Sequence, residues 1–130
     1  MKFLLDTHIW LWWLEDDDRL SGPVVDALSA PDARVYLSSV SAWEIAIKSQ
    51  LRKLPLPEPA AVFVRSRVES SGVIMLEMTF EHALSVEGLS PHHRDPFDRL
   101  LVAQAQVEGM RLVTADAKLA AYGIDLLLVN

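Results

Sequence analysis

The sequence predicts an α/β protein: a three-layer α/β/α sandwich around a central, mostly parallel sheet of about five strands. Two observations carry this expectation. Short, nearly continuous apolar runs recur at 3–5, 35–37, 73–76, 112–113 and 126–129. Runs without alternation are the mark of strands buried on both faces of a parallel sheet. Segments with helical patterning separate them, and strands that alternate with helices imply right-handed crossovers.

Taken in order, the first strand ends in "LLD" and "HIWLWWL" follows as a short helix. The next, "SGPVVDALSA", takes Ser21 as its cap. After the second strand, "SVSAWEIAIKSQL" reads as an amphipathic helix that must stop before "LPLPEP", because a proline lacks the amide that helix continuation needs. A helix over 59–70 ends at "SSG", and "TFEHALSVEGL" forms another short one. The long helix is "DPFDRLLVAQAQVEGM", ending near Gly109, and "DAKLAAYG" forms the last short helix before the final strand. No internal repeat or boundary interrupts this order, so one domain over 1–130 is expected.

A chain of 130 residues can bury about two-thirds of its unfolded surface. The absence of cysteine excludes a disulfide framework, a thiolate metal site and a cysteine nucleophile, and suits a reducing cytoplasm. Asp6 and His8 break the apolar N-terminal stretch and no small-residue cleavage site follows, so neither signal peptide nor membrane span is expected. The formal net charge is −6, from 18 acidic residues against 12 Lys and Arg. That sign is wrong for simple nucleic-acid binding, which draws its affinity from Lys and Arg. A nucleic-acid ligand would require metal ions or a local basic patch.

In such folds ligands bind beyond the carboxyl ends of the strands, where strand order reverses. Four acids are expected there. Asp6 ends the first strand, Glu44 opens the helix after the second, Asp98 lies early in the long helix, and Asp116 follows the fourth strand. Each has a local explanation. Asp6 and Asp116 can cap the helices that follow them. Ser41-x-x-Glu44 has the form of a capping box. In "RDPFDRLL", Asp95 fits the cap, Pro96 the first helical position, and Asp98 the positive end of the helix dipole. The separate explanations leave the convergence of four carboxylates unexplained. Carboxylates held together repel, and a divalent cation relieves that repulsion. Oxygen donors without cysteine suit Mg²⁺ or Mn²⁺ better than zinc. Such a site suits phosphodiester hydrolysis.

The order and spacing of "LLDTHIWLW", "SSVSAWEIAIK", "DPFDRLLVAQA" and "RLVTAD" resemble a PIN-domain ribonuclease of the VapC toxin type, over essentially the whole chain. The resemblance places the family's first aspartate on Asp6 with its hydroxyl on Thr7, and the helix glutamate on Glu44. It places the third acid on Asp98, with Val102 where alanine is common, and the fourth on Asp116 with Thr114 two before it. It implies a Mg²⁺- or Mn²⁺-dependent endoribonuclease, the toxin of a type II toxin-antitoxin system. Asp6 and Asp98 would be the direct metal ligands, with Glu44 and Asp116 acting directly or through water. It also implies a homodimer and a cognate antitoxin that covers or disrupts the acidic site.

Other residues are weaker candidates. Arg94, Arg99 and Lys48 are candidate RNA contacts, and Asp95 has a candidate role through a metal-bound water. His8 is expected to be structural or at the rim. His92 and His93 are expected in an exposed loop, with a phosphate contact as the alternative to metal ligation. Trp10, Trp12 and Trp13 cannot all face one core from a single short helix, which leaves at least one for a dimer or antitoxin contact. Two rival classes remain. One is a relative that binds RNA without cutting it, against which the complete acid set stands. The other is a receiver domain or aspartate-nucleophile phosphatase; the phosphatase motif needs an aspartate where His8 stands, and a receiver's paired acids and late lysine are not evident.

Overall fold

The computed structural model describes residues 1–91 and 94–129. Five strands form one sheet: β1 (Lys2–Leu5), β2 (Arg34–Ser38), β3 (Ile74–Leu76), β4 (Arg111–Thr114) and β5 (Leu126–Leu128). Among the described residues six α-helices connect and cover them: α1 (Thr7–Leu14), α2 (Gly22–Ser29), α3 (Ser39–Gln50), α4 (Ala60–Ser71), α5 (Phe80–Ser85) and α6 (Pro96–Glu108). The spatial order is β3-β2-β1-β4-β5 and every pairing is parallel. The chain builds outward from β1 through β2 to β3, then crosses back to add β4 and β5 on the other side. Strand order therefore reverses between β1 and β4, where a cleft at the carboxyl edge is expected.

Side-chain alternation divides the core. Phe3, Leu5, Val35, Leu37 and Val113 pack on one side with Ile9 and Trp10 of α1, Val24 and Leu28 of α2, and Phe63 of α4. Leu4 and Leu112 point the other way, against Leu101, Val102, Ala103 and Ala105 of α6. Both faces are thus covered, which is why the strands read as unbroken apolar runs. Trp10 is fully buried, while Trp12 and Trp13 are half-buried. No helix among the described residues is long and apolar enough to cross a membrane.

Three local expectations need correction. Helix α3 starts at Ser39 directly after β2, capped by Ser38, whose hydroxyl accepts from the Val40 amide at 2.9 Å. Ser41 and Glu44 therefore form no capping box, and Glu44 lies in the second turn rather than the first. Ser21 occupies the cap position of α2 but makes no side-chain capping bond. The segment Ala117–Tyr122 is a 3-10 helix, tighter than the α-helix the sequence suggested.

Helix α6 begins and ends as its sequence dictates. The Asp95 carboxylate accepts from the amides of Phe97 at 2.9 Å and Asp98 at 3.4 Å, with Pro96 at the first helical position. Gly109 closes the helix at φ +65, and the Met110 amide donates to the Ala105 carbonyl at 3.0 Å. Arg99 ties the first turn to its surroundings, donating to the carbonyls of Ser90 at 3.0 Å and Val86 at 3.3 Å and to the Tyr122 hydroxyl at 3.3 Å.

Candidate active site

Asp6 is the first residue past β1 and the cap of α1, so the local sequence that starts the helix also turns its carboxylate to the sheet edge. Its amide still belongs to the sheet, donating to the Val113 carbonyl of β4 at 2.9 Å. One carboxylate oxygen accepts from the Thr7 amide at 2.7 Å and the other from the Thr114 hydroxyl at 2.8 Å. The Thr114 oxygen in turn accepts from the Asp116 amide at 3.1 Å. Asp116 then caps the 3-10 helix through the Lys118 amide at 3.0 Å. The end of β4 thereby holds two of the four acids in register across the switch point.

Thr7 links Asp6 to α3. Its hydroxyl lies 2.7 Å from Glu44 Oε1 and 2.8 Å from the Ser41 hydroxyl. A hydroxyl has one proton and an ionised carboxylate can only accept, so Thr7 donates to Glu44 and accepts from Ser41. Glu44 Oε2 pairs with the Lys48 ammonium one helical turn on. Glu44 is almost wholly enclosed, with 5% side-chain exposure, whereas Lys48 keeps 31%.

Asp6, Glu44, Lys48 and Asp116 line one cleft of about 390 Å³, together with Asp95, Asp98, His8, Trp12 and Ala115. All four predicted acids, and Asp95 with them, meet there. Lys48 is the sole lysine or arginine among its lining residues. Arg99 serves the α6 contacts described above, Arg94 is exposed, and neither lines the cleft. His92 and His93 lie outside the described residues. His8 is exposed at the rim, and Trp12, one turn further along α1, had not been singled out for this role. Their i, i+4 spacing behind Asp6 was the available signal, since it puts both on one helix face. Ser41 was read only as a cap.

Charge in the cleft is not balanced. Burial pushes the Asp6 carboxyl above its ordinary range; the Thr114 hydrogen bond opposes this, Glu44 reinforces it, and the Thr7 amide and His8 oppose it weakly. For Lys48, burial disfavours the ammonium, but the Glu44 hydrogen bond and the fields of Glu44, Asp95 and Asp98 outweigh it and keep the group charged beyond the usual lysine range. Among the described residues no three Asp, Glu or His side chains stand at ligating distance from a common point. The acids surround the cleft and do not converge on one spot within it.

The fold and the cleft define a class of protein. A model of the PIN domain matches residues 3–125, and the chain belongs to that family. Its likeness is to VapC-type members. Ribonuclease VapC22 of Mycobacterium tuberculosis is 29% identical over 119 residues, covering 92% of this chain and 90% of that protein. In structure, VapBC2 from Rickettsia felis bound to a DNA fragment from its promoter superposes with a TM-score of 0.76 at 17% identity, over 100% of both chains. A toxin-antitoxin complex from Klebsiella pneumoniae gives a TM-score of 0.65 at 18% identity, over 95% of this chain and 94% of that one. The five-stranded parallel sheet with helices on both faces is the fold they share.

Proposed function

We propose that the protein is the toxin of a type II toxin-antitoxin system: a Mg²⁺- or Mn²⁺-dependent endoribonuclease that hydrolyses RNA phosphodiester bonds at Asp6, Glu44, Asp98 and Asp116. The observation that carries the reading is the meeting of those acids in one cleft at the β1/β4 switch point. The relative named as a ribonuclease supports the reaction, and the structural neighbours named as VapBC and toxin-antitoxin complexes support an antitoxin partner. Homodimerisation and a cytoplasmic location belong to the same reading.

A divalent ion fits the donor set. The carboxylates offer only hard oxygen donors. Among the described residues each Asp6 oxygen accepts one hydrogen bond, which leaves a lone pair on both. The buried Asp6 charge also lies beside Glu44, and a cation would relieve both. Asp6 and Asp98 would hold the ion, with Asp116 nearby. When bound, it supplies Lewis acidity toward a phosphate oxygen and lowers the pKa of a water.

The chain's own residues do the rest. Thr7 and Thr114 fix the direction of the Asp6 carboxylate, so no reorganisation is needed when substrate enters. The water oxygen bonds to phosphorus, the bond from phosphorus to the leaving ribose oxygen breaks, and that oxygen takes a proton from solvent water. The water proton passes to a cleft carboxylate, for which Asp98 and Asp116 are the less buried choices. Lys48 offers positive charge to the phosphate in a protein whose net charge is −6.

The test is Asp98→Asn. Mg²⁺-dependent cleavage of RNA should vanish while the melting temperature stays close to that of the unaltered protein. Sequencing RNA 5′ ends after brief induction of both proteins reads the result, and cleavage at undiminished rate by the variant refutes the site.

A further inference from the structure

Among the described residues, the sole lysine lining the acidic cleft is held by an acid whose negative charge it already meets. Glu44 gives Oε1 to the Thr7 hydroxyl and Oε2 to Lys48, and it is nearly wholly enclosed. The Thr7 residue that takes Oε1 also presents its amide to Asp6, so the Glu44 position is locked to the first acid. An acid paired with an ammonium is a poorer metal ligand than Asp6, whose hydrogen-bond donors are neutral. It is a good holder for an ammonium group.

Lys48 also stands at a junction. A second hollow of about 270 Å³ adjoins the acid cleft, shares His8, Glu44 and Lys48 with it, and carries Lys53 on its lining. Its remaining walls include Leu11 and Leu54. Across the two linings the acids, Lys48 and Lys53 occur on one stretch of surface, with Lys48 common to both hollows. A phosphate chain laid along it would meet Lys48 beside the acids. The Phe97 ring, 6.0 Å from the Lys48 nitrogen, supports the ammonium from the α6 side.

We propose that Lys48 is a catalytic residue that contacts the scissile phosphate where two-ion nucleases place a second metal ion, that Glu44 holds Lys48 and ligates no metal, and that the site therefore takes one divalent ion. The inference rests on the reading of the cleft as a metal-dependent ribonuclease site. Two-ion sites place their metals about 3.5–4 Å apart. An ammonium held beside Glu44 would supply in the cleft the positive charge that a second ion otherwise brings, and would repel a further cation. Lys48 donates to a non-bridging phosphate oxygen and remains an ammonium throughout, so the proton balance of hydrolysis is unchanged.

Counting bound Mn²⁺ by electron paramagnetic resonance separates the roles without reference to activity. The unaltered protein should bind one ion per chain. Glu44→Gln should keep its Mn²⁺ affinity within about threefold, whereas Asp98→Asn should lose at least about tenfold. Lys48→Gln frees Glu44 and should either gain a second ion or bind the first about tenfold more tightly. In Mg²⁺, the same variant should cleave RNA roughly a hundredfold more slowly, as loss of one charged donor to a developing oxyanion does. Lys48→Arg should restore part of that rate and keep the count at one. Thermal melts by circular dichroism check that each variant is folded. Two ions in the unaltered protein, a Glu44→Gln loss equal to that of Asp98→Asn, or undiminished cleavage by Lys48→Gln overturns the inference and leaves the ribonuclease reading standing. Absence of Mn²⁺ binding in every chain overturns both.

Discussion

Thr114→Val is the most informative single change in the cleft. Thr114 is fully buried, and its hydroxyl donates to Asp6 at 2.8 Å while accepting from the Asp116 amide at 3.1 Å. Valine keeps the shape and removes both bonds. A hydrogen bond to a charged group contributes about 1.5–3 kcal/mol, and water can replace the acceptor for the partly exposed Asp116 segment, so a loss of about 2 kcal/mol is expected at neutral pH. For a chain of this size that corresponds to a fall of roughly 6–8 °C in melting temperature. The pH dependence is the sharper signature. The folded Asp6 pKa is already raised, so Asp6 contributes stability below the ordinary carboxylate range and loses it as pH rises through the folded value. The Thr114 hydroxyl favours the ionised form, and removing it raises that folded pKa further. The deficit of the variant should thus be small in acid, where Asp6 is protonated in both proteins, and full once Asp6 is ionised. Urea unfolding at intervals across roughly pH 4 to 8 measures it. The acid limb of the RNA-cleavage profile should move to higher pH in the same variant. A deficit that is constant across pH, or an unmoved acid limb, refutes the coupling between Thr114 and the Asp6 charge.

Other changes probe the frame and the ion. Asp95→Asn should change stability by only a few tenths of a kcal/mol because asparagine still caps, whereas Asp95→Ala should cost about 1 kcal/mol in chemical denaturation. Gly109→Ala should destabilise by about 1 kcal/mol, since φ +65 disfavours a side chain although no atom lies within 4 Å of the added carbon; melting curves measure it. Mg²⁺ at about a hundred times its dissociation constant should stabilise the fold by roughly 2.7 kcal/mol. Chelation should reverse the gain in a thermal melt, and Asp98→Asn should show little of it.

The sheet was legible because strands buried on both faces leave unbroken apolar runs, and the helices were legible because proline and glycine punctuate them at Pro59, Gly72, Pro96 and Gly109. The acids could be placed at one edge for the same reason: parallel strands put every strand end on one side. What failed was the frame of α3. The run "SSVS" offers more than one serine cap, and the choice of Ser38 follows from β2 passing into the helix with no loop between them. That junction is a tertiary matter, set by the pairing of β2 with β1 and β3. Ser41 was consequently read as a cap when its hydroxyl belongs to the Thr7 network. The Glu44–Lys48 pair was visible as an i, i+4 spacing, yet its place inside the cleft depends on α1 and α6 closing around it. Arg99 looked like a phosphate contact because it adjoins Asp98, and only the packing around α6 turns it toward Ser90, Val86 and Tyr122.

The bond from Thr114 to Asp6 spans 108 positions of sequence, and it governs when the cleft can exist during synthesis. As the chain emerges, Asp6, Glu44 and Asp98 are all available before β4. Until β4 docks, however, Asp6 lacks both the Val113 carbonyl that takes its amide and the hydroxyl that orients its carboxylate. Closing so long a loop is slow relative to forming the helices around it. A growing chain therefore carries its acids as scattered helix residues, and the cleft assembles in one late step. On the proposed ribonuclease reading, this order delays activity until the chain's own message has been translated past β4.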